Sequence, residues 1–154
     1  MSVKTYVLCK PPFLTEQEAL EDNAATIHAV ANLSDVISIN PVTIQRHTLV
    51  EYLWRREEYR PPWLWTLVEI LKQGRDAFSG QLKCDTVAGG SPRGPHNCGK
   101  CDSRVLDALR RFSLEQDSKV FNDLSCSCQG QWRDQLELEQ QTFGSIVDFS
   151  RWKP

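Results

Sequence analysis

The hydrophobic pattern of residues 1–41 predicts a strand, an amphipathic helix and a second strand. Residues 3–9 alternate and then become apolar, and residues 36–39 form a short apolar run; both patterns are typical of buried strands. Between them, apolar residues recur at helical spacing from a capping-box sequence at Thr15 to about residue 32. This order predicts a βαβ unit with a right-handed crossover and a parallel strand pair.

The rest of the chain is predicted to be helical around one long irregular segment. Residues 84–101 hold too many glycines and prolines for a regular element, and the glycine-flanked residues 74–80 are typical of a linker. After residue 142 we expect extended chain. Helical spacing predicts further helices over residues 48–56, 63–73, 102–112, 117–124 and 132–142.

Two parallel strands do not make a complete sheet, because a parallel pair requires more strands beside it and cover on both faces. The βαβ unit is therefore the edge or a fragment of a larger α/β structure. We predict an α/β unit with its helices over residues 1–73, a linker over 74–80, and a small cysteine-rich α+β module that binds metal over 81–154.

Charge and hydropathy restrict the class of protein. The net charge of -2 and the sequence pI of about 5.9 argue against a protein that binds a polyanion by its overall charge. Cations outnumber acids locally over residues 82–112, so any contact with nucleic acid is expected to be local. The sequence contains no long apolar window and no secretory signal, so we expect a cytoplasmic protein without a membrane partner.

Five of the six cysteines lie in the second half of the chain. In a reducing compartment such clustering indicates a metal site rather than disulfides. The C-x2-C knuckle at residues 98–101 lets two thiolates point at one ion, and tetrahedral zinc needs four ligands. More distant thiols join them only if the intervening helix folds back. The predicted ligands are Cys84, Cys98, Cys101 and Cys126, with Cys128 and His96 as alternates.

Other interpretations of the cysteines remain open. Zinc is the favoured ion and an Fe-S cluster the alternative, while disulfides or unligated buried thiols would need no metal. His96, just before the knuckle, fits a ligand, an outer-sphere hydrogen-bond donor or a phosphate contact equally well. Cys9 stands alone on a predicted strand, so we expect a small buried hydrophobe.

Several short motifs in order resemble one family of radical-SAM enzymes. This family includes the radical-SAM subunit of archaeosine synthase and has more distant relatives among the MiaB-type enzymes. Each motif is weak alone, but their succession over residues 3–132 is specific. The motifs are KPPFLTE at residues 10–16, SINP at 38–41 followed by Gln45-Arg46, LWRR at 53–56, YRPPWLW at 59–65 and GPHNCGKCD at 94–102.

The resemblance implies that residues 1–73 are the C-terminal fragment of a partial (βα)6 radical-SAM barrel. The active edge of such a barrel lies at the carboxyl ends of its strands. Candidate residues for binding substrate or S-adenosylmethionine at this edge are Lys10, Asn40, Gln45 and Arg46. In the complete enzyme a [4Fe-4S] cluster reduces S-adenosylmethionine to a radical. The implied reaction cleaves a lysine adduct on a 7-deazaguanine base in tRNA and leaves the amidine.

The chain departs from this family in one major respect, because it contains no C-x3-C-x2-C motif to hold the cluster. The resemblance therefore implies a truncated or split enzyme, inactive alone. Its expected partners are tRNA and either the missing N-terminal half-barrel or a subunit such as the archaeosine synthase alpha subunit. The rival hypothesis is a self-standing zinc-containing module that binds tRNA or a protein. A third is a decayed fragment without function.

Overall fold

The computed structural model describes residues 1–141, which form a three-stranded, all-parallel sheet in the order β1-β2-β3 with helices packed against it. The elements in chain order are β1 (Lys4–Cys9), α1 (Glu16–Val30), β2 (Val36–Pro41), α2 (Leu49–Arg55), α3 (Leu64–Ala77), β3 (Gln81–Cys84), α4 (Asp102–Glu115), a 3-10 turn (Ser118–Phe121) and α5 (Cys128–Glu139).

The predicted βαβ unit is confirmed. Strands β1 and β2 pair in parallel, with Val7 opposite Ile39, and α1 connects them. The capping box is present as predicted: Thr15 Oγ1 accepts from the Glu18 amide at 3.1 Å, and Glu18 Oε2 accepts from the Thr15 amide at 2.9 Å. These two bonds satisfy orphan amides at the helix start and fix where α1 begins after β1.

Strand β3 was absent from the sequence prediction, because its four residues include a single strongly hydrophobic one, Leu82. It pairs in parallel with β2, with Cys84 opposite Ile39. The cysteine-rich part of the chain thus contributes a strand to the same sheet. The predicted linker at 74–80 falls on the last turn of α3 and the turn into β3, and the division into two modules stays a prediction.

Helix boundaries differ most at the end of the described chain. The short helix predicted over 117–124 is a 3-10 turn, Ser118–Phe121, capped by the Asp117 side chain. Helix α5 begins at Cys128, one turn before the predicted start at residue 132. The predicted extended chain after residue 142 lies outside the described residues.

Helices α1, α3 and α4 cover one face of the sheet. Val7, Ile39 and Leu82 point into this core and are almost fully buried. On the opposite face Tyr6 and Leu8 of β1 remain 66% and 53% exposed. The described residues therefore form an open sheet with one covered face and not a closed barrel, because three strands cannot close on themselves. No helix within residues 1–141 is long and apolar enough to span a membrane.

Close packing between α3, β3 and α1 requires a glycine at position 74. A Cβ at Gly74 would lie 2.8 Å from Leu82 Cδ2 and 2.9 Å from Ile27 Cδ1, and both side chains are fully buried. Gly74→Ala is expected to destabilise the fold by about 1 kcal/mol net, since overpacking outweighs the helix-propensity gain. Urea unfolding measures the difference.

Helix α5 offers the matched control for Gly74→Ala. A Cβ at Gly130 meets no atom within 4 Å, so Gly130→Ala gains helix propensity of roughly 0.5–1 kcal/mol without a packing cost. Equal stabilisation by the two substitutions would contradict the close packing at position 74.

Candidate metal centre

Four cysteine thiols from three separate segments converge at one end of the fold. Cys98 and Cys101 come from the knuckle before α4, Cys126 from the loop after the 3-10 turn, and Cys128 from the first position of α5. The chain between the two pairs folds back through α4 and the 3-10 turn, which pack against each other through Phe112 and Phe121. The intervening helix therefore folds back, as the sequence analysis required for the distant thiols to reach the knuckle.

The sulfur atoms are arranged around a common centre. Cys98 Sγ lies 4.0 Å from Cys101 Sγ and 3.7 Å from Cys126 Sγ, and Cys101 Sγ lies 3.7 Å from Cys128 Sγ. All four sulfur atoms lie within 4.8 Å of one another. A tetrahedral zinc site with Zn–S bonds of ~2.3 Å places its sulfur atoms about 3.8 Å apart. The cluster could therefore bind a metal such as zinc or an Fe-S centre.

The four thiols differ in their environments. Burial raises the pKa of the Cys101 thiol to about 12, and burial also raises the pKa of Cys128. Hydrogen bonds from the backbone and the thiol of Cys128 lower the pKa of Cys126 to about 7. Metal ions bind the thiolate form, so binding an ion at neutral pH must displace protons from the buried thiols.

Two side-chain N–H groups face the buried sulfur atoms. Trp65 Nε1 on α3 donates to Cys128 Sγ at 3.3 Å, and Asn97 Nδ2 donates to Cys101 Sγ at 3.4 Å. Both donors favour the charged thiolate that a metal ion requires. Sequence reasoning missed both residues. Asn97 directly precedes the knuckle, which is a signal, whereas only the tertiary fold reveals Trp65.

Asp102 holds the knuckle in shape. Its carboxylate accepts from the Asn97 amide at 3.1 Å and from the Gly99 amide at 2.9 Å. Gly99 adopts a left-handed conformation with φ of 87°, which favours glycine. Cys101 occupies the N-cap position of α4, and Asp102, the first residue of that helix, ties together the turn around the two cysteines.

The predicted ligand set overlaps this cluster at three positions, and Cys128 replaces Cys84 as the fourth member. Cys84 is held in β3, where its amide donates to Ser113 Oγ at 3.2 Å, and burial raises the pKa of its thiol. The alternate His96 is also outside the cluster of described residues; its Nδ1 lies 2.8 Å from Gly94 O, and burial lowers its pKa. Ligation by any of these residues stays a prediction.

The four candidate residues for substrate binding lie at or just after the carboxyl ends of β1 and β2. Lys10 is only 5% exposed and pairs with buried Glu16. Asn40 is half-buried on β2 and donates to Ser38 O. Gln45 and Arg46 are exposed on the following loop. All four lie at the carboxyl end of the sheet, because Leu8 pairs with Asn40 and the ends of β1 and β2 are therefore level. Their roles stay predictions.

The isolated residue Cys9 behaves as predicted. It is fully buried at the end of β1 and takes no part in the cysteine cluster. Burial raises the pKa of its thiol well above the ordinary value. Cys9 is therefore a small core residue.

The fold and the cluster together define a small α/β protein with a four-cysteine centre. Its sequence is 45% identical over 148 residues to archaeosine synthase subunit beta of Methanosarcina acetivorans, a match that covers 96% of this chain and 43% of that protein. It is 42% identical over 132 residues to archaeosine synthase subunit beta of Thermococcus kodakarensis, covering 84% of this chain and 41% of that protein.

The chain spans roughly two fifths of the length of these curated relatives, 43% and 41%. A third relative, an uncharacterized protein of Methanocaldococcus jannaschii, is 35% identical over 153 residues, with 41% of its length covered. No protein-family model matches the chain, and no solved structure matches it.

Proposed function

We propose that this chain is part of a tRNA-modifying enzyme that makes archaeosine. The supporting observation is its similarity, at 45% identity over 96% of its length, to a protein named archaeosine synthase subunit beta. The similarity runs through the sheet, the candidate edge residues and the cysteine cluster together. Four thiols within 4.8 Å of one another favour an intact metal site over a decayed fragment.

The proposed partners follow from the names of the relatives. They are subunits, so we expect this chain to work in an assembly that contains a further subunit, such as the archaeosine synthase alpha subunit, and tRNA. Contact with tRNA must be local, because the chain is acidic overall. Along α4, Arg110 pairs with Asp107 and Arg111 with Glu115, so this helix offers little uncompensated positive charge.

A radical-SAM role is the finer form of the proposal. Parallel sheets normally have both faces covered, yet within residues 1–141 Tyr6 and Leu8 are exposed on the second face of the sheet, and β1 pairs with a strand on one side alone. Earlier strands of a barrel, from a further segment or a partner, would cover this face. They would also have to supply the cysteines for the [4Fe-4S] cluster that reacts with S-adenosylmethionine. The active edge formed by all the strands together would then be lined by Lys10, Asn40, Gln45 and Arg46.

The cysteine cluster is proposed to hold a single zinc ion as a structural site. The separations of 3.7–4.0 Å between its sulfur atoms fit four thiolates around one tetrahedral ion. A [4Fe-4S] cluster fits less well, because each cysteine would bind a different iron at the corner of a larger body. Four protein thiolates leave no open position for substrate, which is typical of structural zinc.

The closed four-thiolate site also supports a second candidate function. Sites of this kind commonly stabilise small modules that bind nucleic acid or protein. On this alternative the chain would be a self-standing zinc module, and the βαβ unit its scaffold. The two candidate functions differ in one respect: the first requires the residues at the carboxyl end of the sheet for archaeosine formation, and the second does not.

Deleting this chain in its source organism and measuring archaeosine in digested tRNA by mass spectrometry tests the proposal. We expect archaeosine to disappear and to return with the wild-type chain. Arg46→Ala, at the exposed active edge, should restore at least several-fold less than Arg110→Ala, a matched exposed arginine on α4. Unchanged archaeosine after deletion would contradict the proposed function, and equal rescue by the two variants would contradict the role of the edge.

A further inference from the structure

Helix α5 is joined to the rest of the fold by polar contacts along one stripe. The stripe consists of Cys128, Trp132, Gln135 and Glu139, whose spacing places them on a single helix face. Only Cys128 and Trp132 of this helix are buried. Trp132 and the partly buried Leu136 pack against the hydrophobic core, so the apolar contact of α5 is confined to a few residues, and polar contacts set its position along the rest of the stripe.

Each member of the stripe has a defined partner on α1, on α3 or at the N-cap of α3. Cys128 Sγ accepts from Trp65 Nε1, as described for the metal centre. The remaining contacts are Trp132 Nε1 to Thr66 Oγ1 at 2.8 Å, Trp63 Nε1 to Gln135 Oε1 at 2.9 Å, and the Gln17 amide to Glu139 Oε2 at 2.9 Å.

These contacts continue into a buried ion pair at the carboxyl end of β1. Thr66 Oγ1 donates to Glu16 Oε1 at 2.7 Å, and the Trp63 amide donates to the same oxygen at 2.7 Å. The other carboxylate oxygen of Glu16 lies 2.6 Å from Lys10 Nζ. Two sets of polar contacts, one from Trp65 to the metal centre and one from Thr66 to Glu16 and Lys10, thus meet at adjacent residues of α3.

Helix α5 has little stability of its own. It has 12 residues, a length at which an isolated helix is marginal in water. Its N-cap residue, Ser127, makes no side-chain capping bond, and each polar contact of the stripe makes only a modest net contribution. The attachment of its first residue, Cys128, to a metal ion would therefore decide whether the helix docks.

We propose that metal bound at the four-cysteine centre fixes α5 over the Lys10–Glu16 ion pair, so that metal occupancy controls solvent access to the carboxyl end of β1. This inference rests on the proposed metal site. The positioning residues are Trp65 and Trp132, because their hydrogen bonds connect the two ends of the first turn of α5 to α3. The metal centre then shapes the candidate substrate edge without contacting it.

Amide exchange followed by NMR on the full chain tests this coupling. The Gln17 amide is the direct reporter, because its acceptor is Glu139 of α5, and the Ile39 amide in β2 reports on the sheet. Chelation of zinc is expected to speed exchange at Gln17 and along α5 at least tenfold more than it speeds exchange at Ile39. Equal loss of protection at Ile39 would mean global unfolding and would overturn the local coupling.

A variant in the zinc-loaded protein makes the test independent of chelation. Trp132→Phe keeps an aromatic ring but removes the N–H donated to Thr66, and it should retain zinc while speeding exchange at Gln17 several-fold. Leu138→Ala, at a residue of the same helix that is 73% exposed, is the control and should change neither zinc binding nor Gln17 exchange. A chain that binds no zinc overturns both this inference and the metal site; zinc binding with unchanged Gln17 exchange overturns this inference alone.

Discussion

The purified wild-type chain is expected to contain one zinc ion, and the Cys101→Ser chain none. Cys101 is buried at the centre of the cluster, where its sulfur lies 4.0 Å from Cys98 Sγ and 3.7 Å from Cys128 Sγ. Serine offers a poor ligand at this position, because zinc binds thiolate far better than a hydroxyl group. Elemental analysis after dialysis measures the stoichiometry.

The loss of zinc should also lower stability by several kcal/mol. The segment before the knuckle is rich in glycine and proline and lacks regular structure from residue 85 to 101, so it has little core to order it. Structural zinc contributes roughly 10–16 kcal/mol of apparent binding free energy in small zinc peptides, and part of that free energy supports folding here. Thermal unfolding with and without chelator measures the difference.

Cys84 and Cys128 provide the matched pair that identifies the fourth ligand. Cys84→Ser is expected to retain zinc, because Cys84 belongs to β3 and lies outside the cluster, whereas Cys128→Ser is expected to lose it. The opposite result, loss with Cys84→Ser and retention with Cys128→Ser, would restore the ligand set predicted from spacing. A brown, iron-containing preparation would contradict zinc altogether.

Local signals in the sequence predicted the βαβ unit, and local chemistry explains why. The Thr15 capping box marks the start of α1 by two bonds within four residues, and the short apolar runs of β1 and β2 are of strand length and typical of buried strands. The convergence of the cysteines was predictable in outline, since the knuckle spacing itself indicates a metal site.

The unpredicted features depend on contacts distant in sequence. Strand β3 exists because β2 offers it a paired edge, and that pairing holds Cys84 in the sheet. Spacing alone could not distinguish Cys84 from Cys128 as the fourth member of the cluster. The partners of Glu16 were equally hidden: its position in the capping-box sequence indicated a helix start, whereas its buried contacts come from Lys10 and the first turn of α3.

Glu16→Gln is expected to destabilise the fold by about 3–5 kcal/mol, which is the usual cost of leaving a buried charge without its partner. Glu16 is fully buried and Lys10 is 5% exposed, so the ammonium group of Lys10 would lose its counter-ion without gaining water. Lys10 is also held in place through its backbone, which adopts a φ of 56° and accepts a hydrogen bond from Tyr59. Urea unfolding measures the loss.

Two further variants test whether the loss of stability comes from breaking the ion pair or from any substitution in α1. Glu21→Gln, on the exposed face of the same helix, should remain within about 0.5 kcal/mol of wild type. The double variant Lys10→Met with Glu16→Gln should recover much of the single-variant loss, because it removes the unpaired charge. If the double variant were as unstable as Glu16→Gln alone, the hydrogen bonds of Glu16 to Trp63 and Thr66, and not its pairing with Lys10, would be the dominant contribution.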